Sequence, residues 1–216
     1  NSFIENALVL ANEDSEVGFY VAEARFIRAY AYLQLMDMYA NVPLVTTVST
    51  ELPEQSNRAE LFAFIEAELL ELDGALKEPG TNEYGRVDKA ASWALLSRLY
   101  LNAQTYIGEA KYAETITQAE KVLNSSYALN TNDGNSNGSA YDELFLADND
   151  TNGAQNEFIF TLNFDGVKSQ TWGGTTFLVH AAIGGSMKPS DFGVNGGWYG
   201  IRSTSALVNK FLVGDQ

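Results

Sequence analysis

The sequence contains no cysteine, a single histidine, and only thirteen lysines and arginines against twenty-eight aspartates and glutamates. Each scarcity removes a class of chemistry. Without cysteine there is no disulfide scaffold, no thiol nucleophile and no thiolate metal site. That absence says little about compartment, since a secretion signal and a lipidation cysteine would both lie upstream of this start. One histidine cannot supply a zinc-type pair, and His180, between Val179 and Ala181, reads as a packed, hydrogen-bonded residue rather than a base. The net charge of −15 comes with no basic block. Phosphate backbones and anionic lipids are bound by neutralising Lys and Arg, so both are disfavoured as partners. A neutral ligand or a cation suits this surface better, although acidic charge also serves simply to keep a protein soluble. No apolar run reaches eighteen residues, so no membrane-spanning helix is expected. The opening NSFIENALVL has neither the basic region nor the cleavage site of a signal peptide. There is no Gly-x-Ser-x-Gly elbow and no phosphate loop, and the glycine clusters do not fit G-x-G-x-x-G.

What is present is a helical pattern. With 216 residues, 45% of them hydrophobic, the chain can bury roughly 70% of its unfolded surface. Phe19, Ala22, Phe26, Ala29, Leu33 and Met36 recur at spacings of three and four, which places them on one stripe of a helix. Tyr20, Val21, Ile27, Tyr30, Leu35 and Met38 widen that stripe until most of the surface needs cover, as in a helix packed among helices. Pro43 ends it near Ala40. A second helix is expected after Ser56 as N-cap, carrying Leu61, Ile65, Leu69 and Leu72 inward, and ending at Asp73-Gly74. A third is expected from about Val87 to Asn102, where Trp93-x-x-Leu96-Ser97-x-x-Tyr100 fits the first helix of a tetratricopeptide repeat, with Ser in place of the small Gly. A fourth, Tyr112 to Asn124, places Tyr112, Ile116, Ala119 and Leu123 on one face, as the repeat's second helix would. Phe26-x-x-Ala29-Tyr30-x-x-Leu33 sits in the same frame and suggests an earlier, looser repeat. The expected fold is mainly α: tetratricopeptide-like helical pairs stacked as an α-α superhelix, with a loop-rich irregular insertion. Its expected divisions are a helical scaffold over 1–129, the insertion over 130–202, and the start of a further helix over 203–216.

From Asn130 to Asn156 the composition turns to Asn, Gly, Ser, Asp and Thr. Phe158–Leu162 is a strand candidate by its β-branched and aromatic content. Gly166 to Gly200 is glycine-rich and carries Trp172, Phe177, His180, Phe192, Trp198 and Tyr199, which reads as large aromatics on irregular backbone. Ser203 to Leu212 reads as helical again.

The wording Ala22-Glu23-Ala24-Arg25-Phe26-Ile27-Arg28-Ala29-Tyr30, followed by a Tyr-rich run and Asn41-Val42-Pro43-Leu44-Val45, closely resembles the signature helix of the SusD/RagB family. Those are outer-membrane glycan-binding lipoproteins of polysaccharide-uptake systems. Tyr141-Asp142-Glu143-Leu144-Phe145 followed by Glu157-Phe158-Ile159-Phe160 resembles the family's link into its insertion. Ala206-Leu207-Val208-Asn209-Lys210-Phe211, closing on Gly214-Asp215, resembles the helix that follows. Family members are more than twice this length, so the resemblance implies a fragment. It also implies a non-catalytic, lipid-anchored protein at the cell surface, delivering glycan to a TonB-dependent outer-membrane transporter, with its ligand site in the insertion.

Within the insertion, glycan binding needs flat aromatic faces for sugar C–H faces to stack on, plus planar polar groups for hydroxyls. Asn195-Gly196-Gly197-Trp198-Tyr199-Gly200-Ile201-Arg202 has these, and Trp172-Gly173-Gly174 repeats the arrangement on a smaller scale. The candidate glycan-binding residues are therefore Trp198, Tyr199, Trp172, Asn195 and Arg202. The competing reading has the rings closing the solenoid ends as core and Arg202 pairing with an acid. Scarce Lys and Arg near this stretch favour a neutral ligand, a β-glucan or a fructan, over a polyanion. Two stretches match the first half of a calcium loop: Asp133-x-Asn135-x-Asn137-Gly138 and Asp148-x-Asp150-x-Asn152-Gly153. Neither has the closing Glu at the twelfth position, held by Leu144 and Ile159, and Asn, Asp and Gly at this density are also what turns are made of. Calcium is thus the one cofactor with any sequence support. Two other function classes remain open: a tetratricopeptide-type protein-interaction module, and a glycoside-active enzyme using two of the many carboxylates.

Overall fold

The computed structural model describes residues 1–211. It resolves into two compact units, Asn1–Thr161 and Leu162–Gln216. The first is built of paired helices: α1 (Ser2–Ala11), α2 (Ser15–Tyr39), α3 (Arg58–Leu72), α4 (Lys89–Leu101), the short α5 (Ala103–Ile107) and α6 (Tyr112–Leu123). The longer helices pack mainly in series, α1 on α2, α2 on α3, α3 on α4 and α4 on α6, while the short α5 rests mainly on α3. This nearest-neighbour order is that of a solenoid.

The helix starts are set by side chains that accept orphan backbone N–H groups. Asp14 accepts from Glu16 N at 2.8 Å at the start of α2. For α3 the cap is Asn57, one residue beyond the expected Ser56, and it forms a reciprocal capping box with Glu60 at 3.0 and 2.9 Å. Ser56 instead pairs with Val42 in a two-residue antiparallel ladder of β1 (Val42–Pro43) and β2 (Gln55–Ser56). Asp88 caps α4 through Ala90 N at 2.9 Å and Ala91 N at 3.3 Å. α2 ends at Tyr39, where Ala40 turns to φ 62° and donates to Met36 O at 3.0 Å, just ahead of Pro43.

The core lies where the apolar stripes meet: Phe26, Leu33 and Met36 of α2, Leu61, Ile65 and Leu69 of α3, and Leu96 and Leu99 of α4. The signature wording of α2 acts here as a clasp. Arg25 bonds Glu68 and Glu71 of α3 at 2.7 and 2.5 Å, Arg28 bonds Glu68 at 2.9 Å, and Glu23 accepts from Arg86 at 2.7 Å.

Several expectations are corrected. The wide stripe of α2 is not covered all round, since Ile27 and Met38 are exposed. α6 is turned so that Gln118 is buried against α4 while Tyr112, Ile116 and Leu123 are 54%, 58% and 80% exposed. No strand forms at 158–162. Ile159 and Phe160 pack on the helical core instead, Phe160 edge-on to Phe26 at 5.4 Å, because burial there needs no partner strand. In the second unit, α7 (Gly174–Ala182) is a helix where irregular backbone was expected, and α8 (Ser205–Val208) is shorter than the expected helix. Residues 209–211 continue as turn and bend, and Leu212 and Gly214-Asp215 lie outside the described residues.

Candidate functional site

The second unit assembles the aromatic residues around α7. The loop ahead of it is tied by Asp165, whose Oδ1 accepts from Val167 N, Lys168 N and Ser169 N at 2.9, 2.8 and 3.0 Å. These bonds, led by that from Ser169, hold the Asp165 carboxyl far below the usual carboxylate range. Gly174 opens α7 at φ 58°, and a Cβ there would run into the Phe164 ring.

At the other end of α7 the glycine-aromatic run docks by main chain. Trp198 N donates to His180 O at 2.8 Å, Tyr199 N to Ile183 O at 3.2 Å and Ile201 N to Ala181 O at 2.9 Å. His180 and Ala181 lie in the last turn of α7, whose carbonyls lack the next turn's amides, and His180 O also takes the capping Ile183 N at 3.3 Å. The close approach depends on two glycines. A Cβ at Gly197 would stand 2.5 Å from Ile183 O, and one at Gly184 would stand 2.6 Å from the Tyr199 ring. Gly196, one residue away, has nothing within 4 Å of its Cβ position. Gly197→Ala is therefore expected to loosen the loop, read as faster limited proteolysis within 184–200, and Gly196→Ala to leave the cleavage rate unchanged. Equal rates in both variants would refute this account of the loop.

This docking brings Trp172 and Trp198 together, with ring centroids 6.0 Å apart and planes at 41°. Trp172 is 83% exposed and Trp198 39% exposed, so both offer ring surface to solvent. Two residues that spacing alone did not single out complete the cluster. Phe177 lies 6.5 Å from Trp198, and the His180 ring is stacked on Trp198 at 4.7 Å and 21°. They sit three apart on α7, a relation visible only once that segment is read as a helix. Tyr199 is held at φ 60° and pairs separately with Arg202, whose guanidinium lies 5.9 Å from its ring centroid. Asn195 is exposed in the same loop. The arrangement offers two tilted indole faces and a tyrosine with a cation beside it. It suits stacking and hydroxyl bonding rather than bond cleavage.

The two calcium-like stretches lie in the first unit. Asp133 accepts from Asn137 N at 3.1 Å and Gly138 N at 2.8 Å, and Asn135 Oδ1 accepts from Asn137 N at 3.0 Å. Asp148 O accepts from Thr151 N at 2.9 Å, and Asp150 is exposed. The buried Glu143 joins the stretches, taking Asn135 N at 2.8 Å and Asn152 Nδ2 at 3.0 Å. N–H donors thus converge on a carboxylate where a cation would need oxygen lone pairs. Among the described residues no group of three or more His, Cys, Asp or Glu side chains is placed to hold a metal ion.

Comparison with known proteins agrees with the wording of α2. Residues 6–101 match a SusD-like family model described as starch-binding associating with outer membrane. The chain is 39% identical over 200 residues to the starch-binding protein SusD of Bacteroides thetaiotaomicron, covering 92% of this chain and 34% of that protein. A SusD-like protein of Bacteroides fragilis, known as a crystal structure, superposes with a TM-score of 0.56 at 26% identity, over 70% of this chain and 28% of that one. A laminarin-binding SusD-like protein gives 0.53 at 25% identity, over 65% and 30%. The chain thus spans about a third of the length of the relatives it matches. With the clasp of α2, the paired helices and these matches in agreement, the chain belongs to the SusD-like family.

Proposed function

We propose that this protein captures neutral polysaccharide at the outer-membrane surface, without cleaving it, and passes it to a TonB-dependent transporter, the full-length protein being held there by a lipid anchor. The observation that carries the reading is the pair of tilted, solvent-facing indoles of Trp172, just ahead of α7, and Trp198, on a loop fixed by main-chain hydrogen bonds. Trp198, Trp172 and Tyr199 stack on sugar faces, and Asn195 and Arg202 bond hydroxyls. A net charge of −15 favours an uncharged glycan. The relative at 39% identity is named for starch and the one at 25% for laminarin. Both ligands are neutral glucans, so glucans lead and fructans come second. The paired helices serve as scaffold and as the face toward the transporter.

Affinity electrophoresis and calorimetric titration against soluble starch, laminarin and inulin test this. Binding to at least one is expected, weakened roughly tenfold or more in Trp198→Ala, because a stacked ring contributes both its buried area and its aromatic contact. No reducing sugar should appear on prolonged incubation. Absence of binding to all three would sink the reading, and release of sugar would turn it toward an enzyme.

A further inference from the structure

We propose that His180 is the positioning residue of the Trp198 face. The inference rests on the reading of Trp198 as a glycan contact and adds to it a residue that touches no glycan.

The histidine holds the loop at three points. Its carbonyl accepts the Trp198 N–H at 2.8 Å. Its ring lies under the indole at 4.7 Å and 21°, close to parallel. Its Nδ1 lies 2.7 Å from Gly196 O. A carbonyl only accepts, so Nδ1 carries a proton and donates it to Gly196 O. The imidazole therefore cannot rotate without giving up Gly196, and the indole cannot tilt without leaving the imidazole. Gly196 itself has open space at its Cβ position, so no side chain of its own packs it in place. One face of Trp198 is taken by His180, and the ring stays 39% exposed for a ligand. Phe177, one turn earlier on α7, stands at 6.5 Å and 51° and limits tilting toward that end.

The test uses the whole chain with soluble starch, laminarin or inulin, whichever binds, in His180→Ala, His180→Phe, Trp198→Ala and the double variant His180→Ala/Trp198→Ala. A second readout is 19F NMR of protein carrying 5-fluorotryptophan. The three tryptophans give three resonances, and Trp198→Phe assigns the one of interest. His180→Ala should weaken binding roughly threefold to tenfold, the range of one aromatic contact. It should shift or broaden the Trp198 resonance while that of Trp93, in the other unit, stays in place as the folding control. His180→Phe, which keeps a ring but not the Nδ1 donor, should recover part of both. A residue acting through Trp198 has nothing left to act on once the indole is gone. The histidine change should therefore add no further loss in the Trp198→Ala background.

Additive losses in the double variant, wild-type affinity in His180→Ala, or a Phe variant no better than Ala would each overturn the inference while the glycan reading stood. Unchanged binding in Trp198→Ala would instead sink the glycan reading. The positioning claim would then be judged by the fluorine resonance alone, and an unmoved Trp198 signal in His180→Ala would end it.

Discussion

Asp88→Ala is expected to lower the unfolding free energy by about 3 kcal/mol, the larger of the two stability losses predicted. Asp88 is 1% exposed and spends both carboxylate oxygens. Oδ1 caps α4 through Ala90 N and Ala91 N, and Oδ2 takes Gly80 N at 2.8 Å and the Tyr127 hydroxyl at 2.7 Å. Loss of the cap costs about 1 kcal/mol. The half-buried Tyr127 hydroxyl, left without its acceptor, accounts for most of the remainder at about 1–3 kcal/mol. Gly80 is exposed and can turn to water. Burial, followed by the bond to Asp88, pushes the Tyr127 phenol above its ordinary value. Asp88→Asn keeps the cap acceptor but sets an amide donor against the Gly80 N–H, and about half the loss is expected. Urea unfolding followed by far-UV circular dichroism reads all three proteins. A midpoint unchanged in Asp88→Ala would show that the α4 cap and its loop are not coupled to the core.

Glu68→Gln is expected to cost about 2 kcal/mol at neutral pH. Glu68 receives Arg25 at 2.7 Å and Arg28 at 2.9 Å, and the three side chains are 13%, 21% and 14% exposed. Removing one member of a fully buried pair costs about 3–5 kcal/mol; the figure is reduced here because both guanidiniums keep access to water. The substitution also has a pH signature. Burial alone would raise the Glu68 carboxyl, and the hydrogen bonds from Arg25 and Arg28 outweigh it, so its folded pKa lies below the ordinary 4.5. A carboxyl depressed on folding stabilises the native state fully above its unfolded value. That contribution is lost as pH falls below 4.5 through the folded value. Wild type should therefore lose more stability than Glu68→Gln between pH 5 and pH 3. Parallel curves for the two proteins would assign the acid sensitivity to other carboxylates.

The scaffold was legible in the sequence through the apolar spacing of its helices; the caps were less so, since Ser56 was expected where Asn57 caps α3 and Asp88 was not singled out. Leu61, Ile65, Leu69 and Leu72 are fully buried as their spacing requires, and Asp88 and Asn57 set the starts of α4 and α3. The stripe Tyr112, Ile116, Ala119 and Leu123 was found as a face of α6 but not as an outward one. Periodicity defines a face and says nothing of what it meets, and here the contact to α4 is made by the other side, around Gln118. At Phe158–Leu162 β-branched content suggested a strand, but a strand also needs a neighbour to bond. The site was half legible. Trp172 and Trp198 stood out by residue type beside glycines. Phe177 and His180 did not, because α7 opens on Gly173-Gly174 and has no side-chain cap.

The way the aromatic run is fastened to α7 has a consequence for how such a surface changes over evolutionary time. The fastening uses the amide groups of Trp198, Tyr199 and Ile201 and the carbonyls of His180, Ala181 and Ile183. Every residue but proline supplies those groups. The main-chain part of the attachment is therefore indifferent to which side chains stand at 198 and 201, while the stack on His180 is what position 198 adds. At 199 the left-handed backbone asks only that the residue tolerate φ near 60°, which asparagine and glycine do most readily. Scaffold and recognition are written in separate alphabets. New side chains can be tried at the exposed positions without rebuilding the helix that carries them.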